Sequence, residues 1–371
     1  MSKFSVEKCI AHSDGDASGF IEYLSQKLDA KMLFVGAVGL EQSSMYCATQ
    51  FAAGKDASFK FLIEKRPLVP PVLIKLGQDH EEYLKQIVPT RLEFVPLDVI
   101  STDGATTGGR NVTALAQPWF TEDAYTDIVI DVTGMSRGVF FPLVRLACEV
   151  GKVEGFNVHV LAASNIKPSI KIRSEASDRA EWMHGFQGDV EYDRNSDDLR
   201  LWVPQLSQNA FNQADLMQRH IQPTPAEVCP IVPFPSREPR KGDELINEYS
   251  ALLFDRWEGN LLNVMYAHES DPIDVYRSIH RMHKARELVF NGEEGAKKAT
   301  TVLSPSGWRL GSVGMLLAAI DLSLPVLYVE TVGYNPESSV PTSVSVTEPS
   351  CLWHIWLVGS VYEDEVCTAQ S

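Results

Sequence analysis

Through residues 1–166 short apolar runs alternate with amphipathic stretches. The runs at Lys31–Gly36, Phe59–Glu64, Arg91–Leu97, Asp127–Val132 and Phe156–Ala162 have the length and the Val, Ile and Phe content of strands. Between them the apolar positions recur at helical spacing over Ala17–Leu28, Glu41–Ala53, Asp79–Ile87, Asn111–Trp119 and Val139–Val150. Strands separated by helices need crossover connections, so this pattern predicts a mainly parallel, doubly wound sheet.

The rhythm fades over 167–229, which is rich in Asp, Asn and Gln, and alternation around Val190–Val203 suggests a hairpin there. The Pro-rich Pro230–Pro239 then marks the entry to a second half. That half predicts helices at Gly242–Phe254, Pro272–Val289 and Leu310–Leu322. Its strands are expected at Leu261–Ala267, Thr300–Leu303 and Pro325–Glu330, with Cys351–Val358 as a final edge strand. The expected fold class is therefore α/β. It comprises two consecutive Rossmann-like units with mainly parallel sheets, 1–166 and 230–371, and a polar connector or hairpin at 167–229. No sequence repeat links the halves.

Composition narrows the partners. With 371 residues, 44% hydrophobic and 22% charged, the chain suits two globular domains. A net charge of −16 disfavours duplex nucleic acid, whose binding needs a basic footprint, but leaves room for a small anionic ligand held by a few local arginines. The six cysteines stand singly with no CxxC pair, so neither disulfides nor a zinc site is expected. The first residues lack a signal-type apolar core, and no run reaches the roughly 18 apolar residues of a membrane span, so a cytoplasmic, membrane-free location is expected. Walker A, GxGxxG and HExxH motifs are absent, and no cofactor is predicted.

In open α/β sheets ligands gather beyond the C-terminal strand ends, where helix N-termini present free N–H groups. Three such loops carry candidates. In FVGAVGLEQSS, Gly36 and Gly39 allow close backbone approach, though a tight structural turn explains them equally. In IVIDVTGMSRG, Asp131 ends a strand; Thr133, Gly134 and Ser136 supply hydroxyls and a flexible backbone, and Arg137 stands at the head of the next helix, with Pro142 in its first turn. The plain alternative is that Ser136 caps the helix and Arg137 pairs with Asp131. In LSPSGWRLGSVG, Ser304, Ser306 and Arg309 repeat that chemistry, Trp308 can stack on a base or cover the core, and Gly311 and Gly314 permit close helix packing.

Elsewhere the bland reading leads. His12–Gly19 is expected to start a helix capped by Asp16 or Ser18, His280 and His283 to lie on a solvated basic face, and His184 has no identifiable partner.

The strand, TGMSR turn and helix at Asp131–Arg137 resembles the Thr-Gly-Gly-Thr-Lys/Arg turn of CARF-like domains, and two Rossmann-like units in one chain are similar to SAVED domains, with Met135 in place of the second glycine. Those families sense cyclic oligonucleotides or other nucleotide messengers in prokaryotic antiviral defence. The resemblance implies ligand contact by Thr133, Gly134, Ser136 and Arg137, and an output passed to an effector protein or a homodimer, since no effector motif is fused here. The leading expectation is a nucleotide-binding sensor or regulatory protein in which Arg137 and Arg309 grip phosphates. The alternative is a stand-alone enzyme acting on a nucleotide or nucleoside, with Asp131 or Glu330 as general base. A third is a structural member of a larger complex.

Overall fold

A computed structural model of the chain describes residues 2–27, 30–52, 57–88, 91–122, 124–187, 199–221, 226–257, 263–290, 299–346 and 348–363. The first portion runs β1 (Ser2–Lys3), β2 (Ile10–Ser13), α1 (Asp14–Gln26), β3 (Met32–Ala37), α2 (Tyr46–Phe51), β4 (Ala57–Lys65), α3 (Pro71–Ile87), β5 (Leu92–Asp98), α4 (Gly108–Thr121), β6 (Asp127–Asp131), α5 (Arg137–Glu154) and β7 (Asn157–Ser164). There follow β8 (Ile172–Ala176), β9 (Glu181–Trp182), β10 (Leu199–Pro204), α6 (Phe211–Ile221), β11 (Ala226–Val228), β12 (Ile231–Pro233), α7 (Lys241–Glu248), β13 (Met265–Ala267), α8 (Pro272–Phe290), β14 (Ala299–Ser304), α9 (Arg309–Leu322), β15 (Leu327–Tyr328), β16 (Thr331–Pro336) and β17 (Cys351–Gly359).

The large sheet has the order β1-β17-β7-β6-β3-β4-β5, with β2 also on β17. Strands β3 to β7 are parallel, and the order reverses between β3 and β6, which makes the gap beyond their C-terminal ends the topological switch point. Every residue of MLFVGA in β3 and of DIVID in β6 is buried. Continuous apolar runs of this kind suit strands covered by helices on both faces. Helix α3 starts earlier than the periodicity predicts because Pro71 occupies its first turn, where a missing N–H is harmless. Helix α5 likewise starts at Arg137, which moves Pro142 into its second turn, and it stops at Gly155, whose left-handed φ of 85° suits glycine.

Two expectations are corrected. Cys351–Val358 is no edge strand of a second unit. It pairs with β7 on one side and with β1 and β2 on the other, inside the large sheet. Its burial on both faces, broken only at Trp353 and Trp356, is the reason. The expected hairpin fares differently on its two sides: residues 188–198 lie outside the described residues, while β10 is the middle strand of a parallel sheet, β11-β10-β14. Arg200 interrupts its apolar pattern yet is itself buried, as are Leu201, Trp202 and Val203, so the alternation masked a core strand. Single parallel bridges join Gln205 to Ile231 of the parallel pair β12-β13, and Leu303 to Val326.

The two portions share a core. Val139, Phe140 and Phe141 of α5 belong to the same apolar cluster as Leu310, Val313 and Leu316 of α9. Gly314 permits the tight α8–α9 contact, since a Cβ there would sit 2.4 Å from the Pro272 carbonyl oxygen. No helix among the described residues is long and apolar enough to cross a membrane.

Candidate functional site

A cavity of about 830 Å³ opens where strand ends of the two portions face each other. From the first portion come Val38–Glu41 after β3, Glu64–Arg66 at the end of β4, and Thr133–Gly138 after β6. From the second come Ser207–Ala210 after β10, Pro305, Ser306 and Arg309 after β14, and Tyr328–Thr331 around β15. The volume falls in the range of roughly 300–1,000 Å³ usual for small-molecule sites.

The turn after β6 is held from below. One Asp131 oxygen accepts the Thr133 N–H at 3.0 Å and the Thr133 hydroxyl, and that hydroxyl oxygen accepts the Ala163 N–H at 2.9 Å. Gly134 is packed so closely that a Cβ would stand 2.6 Å from the Ala37 carbonyl oxygen and 3.1 Å from the Gly39 nitrogen. These glycines therefore let the β3 and β6 loops touch. Gly36 faces the other way, where a Cβ would strike the Phe61 ring at 2.8 Å.

Arg137 and Arg309 each open a helix, and each reaches into the other's loop. Arg137 Nε donates to Ser312 Oγ at 2.9 Å and its terminal nitrogen to the Gly307 carbonyl. Arg309 donates to the carbonyls of Val132, at 3.1 Å, and Met135. Crossed in this way, the arginines fasten α5 to α9 at the cavity floor, and Arg137 makes no ion pair with Asp131. Burial, together with the neighbouring Arg309 charge, brings Arg137 down to about 10, so it remains cationic at neutral pH. Ser304 is fully buried and accepts the Trp202 indole N–H at 2.9 Å, whereas Ser306 lines the cavity and donates to the Gln205 carbonyl at 2.6 Å.

Sequence reasoning named Glu330 but missed Glu64 and Arg66, with which it forms a cluster at the head of α5. Glu64 Oε1 accepts the Ser136 N–H at 2.8 Å, taking the place an external anion would occupy at that helix end. Arg66, with its side chain 1% exposed, donates to Glu64 Oε2 at 2.7 Å and to Glu330 Oε1 at 3.2 Å, and also to the Thr331 carbonyl. Burial pushes the Glu330 carboxyl above its ordinary range, against the pull of Arg66 and of the Thr331 N–H. A signal existed, because Glu64-Lys65-Arg66 ends a strand, but without glycine or hydroxyls the stretch does not stand out. Gln205 was also missed: its side chain accepts from the Gly307 N–H and the Ser312 hydroxyl and donates to the Trp308 carbonyl, ordering the turn before α9.

The loops singled out from sequence thus converge, with Gly39, Thr133, Gly134, Ser136, Arg137, Ser306, Arg309 and Glu330 on the cavity wall. Gly36, Asp131 and Ser304 lie behind it, among residues that support the wall. Other positions differ from expectation. Helix α1 begins at Asp14 with Ser13 as its N-cap, and the Asp14 carboxylate instead accepts the Leu352 N–H. His283 is buried against Thr301 rather than solvated, and His184 meets the Thr113 hydroxyl at 3.3 Å. Among the described residues no group of His, Cys, Asp or Glu is arranged to hold a metal ion, and Cys9, Cys47, Cys148, Cys229 and Cys351 are free thiols.

No family model and no curated protein matches the chain. Among solved structures it is similar to a deacetylase of teicoplanin biosynthesis, at 11% identity and a TM-score of 0.25 over 41% of this chain and 76% of that one. It is also similar to E. coli MccB crystallised with MccA, at 8% identity and 0.22 over 42% and 40%. A third likeness is to the cytoplasmic domain of a prokaryotic cation chloride cotransporter, at 8% identity and 0.23 over 82% and 96%. Similarity this low assigns neither fold nor activity.

Proposed function

We propose that the cavity binds a nucleotide, cyclic oligonucleotides included, and that the chain acts as a sensor or regulatory protein. The observation that carries this reading is the meeting of strand-end loops from both portions around one cavity, with the crossed arginines at its floor. The parallel bridges support the finer picture of a second Rossmann-like unit: with β11 preceding β12 along the same edge of β10, they set its strands in the order β13-β12-β10-β14 followed by Val326, as β5-β4-β3-β6-β7 are set in the first. Each unit then contributes the turn after its fourth strand, and each turn ends in the arginine that the other unit's backbone holds.

A ligand seated between the units biases their relative orientation through that clasp, which gives a sensor its two states. Output passes to an effector protein or a second copy of the chain. Arg137 and Arg309 serve ligand binding by shaping the floor, because their guanidinium groups are committed to backbone carbonyls. Lys65, exposed where it lines the cavity, and Arg173, 61% exposed and 3.9 Å from the Glu337 carboxylate, are the cations that could reach a phosphate.

The enzyme reading keeps one specific support. Glu330 is a buried carboxylate on the cavity wall with its pKa raised, the environment of a general base or acid. Asp131 loses ground as a base because it sits behind the wall.

A thermal-shift screen against mono-, di- and cyclic nucleotides, with mass spectrometry of every hit, tests both readings. Stabilisation by an unchanged ligand is the expected result. A chemically altered ligand transfers the assignment to the enzyme, and no stabilisation by any nucleotide overturns the proposal.

A further inference from the structure

Three buried polar atoms belonging to cavity-wall residues make no hydrogen bond of ordinary geometry: Ser136 Oγ, Arg66 Nε and Glu330 Oε2, the last of which has the Tyr328 hydroxyl as a neighbour. Nearly all buried polar groups are paired in folded proteins, so unpaired ones beside a cavity are acceptors and donors held in reserve. Two of them lie at the head of α5. Ser136 is its N-cap residue but makes no capping bond, and a Cβ on Gly138 would stand only 2.1 Å from Glu330 Oε2. The carboxylate is fixed from its other side, where Oε1 accepts from Arg66 at 3.2 Å and from the Thr331 N–H at 2.8 Å.

This end of the cavity is unsuited to a phosphate. The helix N-terminus is already occupied by Glu64, and the one Arg66 charge is shared between Glu64 and Glu330. A further anion would meet two carboxylates, and the neighbouring cation, Arg137, has its donors committed to Ser312 and the Gly307 carbonyl. A ligand N–H or O–H, by contrast, would meet acceptors that have already lost their water and regain a bond at little further desolvation.

We propose that the α5 side of the cavity reads an uncharged hydrogen-bond donor of the ligand, a sugar hydroxyl or an exocyclic base amine, with Glu330 and Ser136 setting the preference. The inference rests on the nucleotide reading of the cavity and assigns the orientation within it: donors toward α5, phosphate toward Lys65 and Arg173.

Calorimetric titration of ADP, 2′-deoxy-ADP, 3′-deoxy-ADP and inosine 5′-diphosphate into wild-type protein, Glu330→Gln and Ser136→Ala tests it. In Glu330→Gln the donors of Arg66 and Thr331 keep the amide oxygen at the Oε1 position, so the amide nitrogen replaces the free acceptor with a donor. Affinity for ADP is expected to fall roughly tenfold, the effect of one buried hydrogen bond. The loss should vanish for the one analogue that lacks the group being read: a deoxy sugar identifies a hydroxyl, inosine the amine. Unchanged or increased affinity in Glu330→Gln overturns the inference, as does an equal loss across all four ligands. Should Glu330→Gln lack a cooperative melting transition, Ser136→Ala decides by the same comparison, since its hydroxyl makes no bond in the empty protein. Wild-type protein that binds none of the four, and that no nucleotide stabilises in the thermal-shift screen, overturns the underlying nucleotide reading, whereas wild-type binding with both variants indifferent overturns this inference alone.

Discussion

Strand β6 begins and ends with a buried aspartate, and the two are treated in opposite ways. Asp127, at the end away from the cavity, is surrounded by donors: Thr126 Oγ1 at 2.6 Å, Asn157 Nδ2 at 2.9 Å, His159 Nε2 at 3.4 Å and Lys27 Nζ at 3.5 Å. Burial pushes its carboxyl up, but the bonds from His159 and Thr126 outweigh it and hold the group well below its ordinary range. Asp131 has Thr133 on one oxygen, while the other faces the Cys47 thiol, a weak donor, without a hydrogen bond of ordinary geometry. There burial wins, and the carboxyl is pushed up to about 6. One end of the sheet closes its polar groups on itself; the other, beside the cavity, leaves several open.

The closed end extends across the sheet. His159 Nδ1 lies 3.0 Å from His354 Nε2, and His354 Nδ1 lies 3.0 Å from His12 Nδ1. Ionised Asp127 accepts from His159 Nε2–H, which leaves His159 Nδ1 as an acceptor and therefore makes His354 the donor to it. The same reasoning makes His12 Nδ1 the donor to His354, so the tautomers of His159 and His354 follow from one carboxylate. Phe20 covers the chain, stacked on His354 with ring centroids 4.0 Å apart.

The largest effect on stability is expected at this end. Asp127→Ala removes the anchor of the chain and strands buried donors, at about 3 kcal/mol, measured by urea unfolding at pH 7.5. Ser136→Ala, at the open end, removes a hydroxyl that bonds nothing and should change stability by no more than about 0.5 kcal/mol. Equal losses would erase the contrast between the two ends.

The next effect is a pH slope. Burial, then the neighbouring histidines, lowers His354 well below its usual 6.5, and burial lowers His159 despite Asp127. A base whose folded-state pKa is depressed contributes nothing adverse above the unfolded value. As pH falls below 6.5 the unfolded chain takes up protons that the folded one refuses, so stability falls, at His354 with a limiting slope of about 1.4 kcal/mol per pH unit. His354→Phe should flatten the decline in melting temperature between pH 6.5 and 5; an unchanged slope would place its origin elsewhere.

This contrast also marks what could be read from the sequence. Strands such as Met32–Ala37 and Asp127–Asp131 were legible because burial on both faces leaves an uninterrupted apolar run. Leu199–Pro204 was hidden by Arg200, a buried charge that imitates the alternation of a half-exposed strand. The loops with glycine and hydroxyls after β3, β6 and β14 were legible as cavity walls, since local chemistry marks them. Glu64, Arg66 and Gln205 were not, because their importance lies in partners supplied from other loops. The partners of Arg137 and Arg309 were equally invisible: no local pattern states that each arginine is held by a turn more than 160 residues away. The histidine chain joins residues 12, 159 and 354 and exists only once β17 has returned to the first sheet.

A smaller effect than the loss at Asp127 is the more discriminating one, because it has the opposite sign. Asp131 has a folded-state pKa of about 6 against a usual 3.8, so its ionised form is strained by burial at neutral pH, and the strain is relieved as pH falls from about 6 toward 3.8. Lowering the pH in that window therefore stabilises the protein at Asp131 while destabilising it at His354. Asp131→Asn keeps an oxygen for the Thr133 N–H and hydroxyl and removes the charge, although its amide gains a donor that only the Cys47 sulfur can accept. The net result should be a gain of about 1–2 kcal/mol in urea unfolding at pH 8, shrinking at pH 5 where the wild-type carboxyl is itself largely protonated. Loss of stability at pH 8 would mean that the charge is held by Arg309, which approaches from α9, and that the open end of β6 is as well compensated as the closed one.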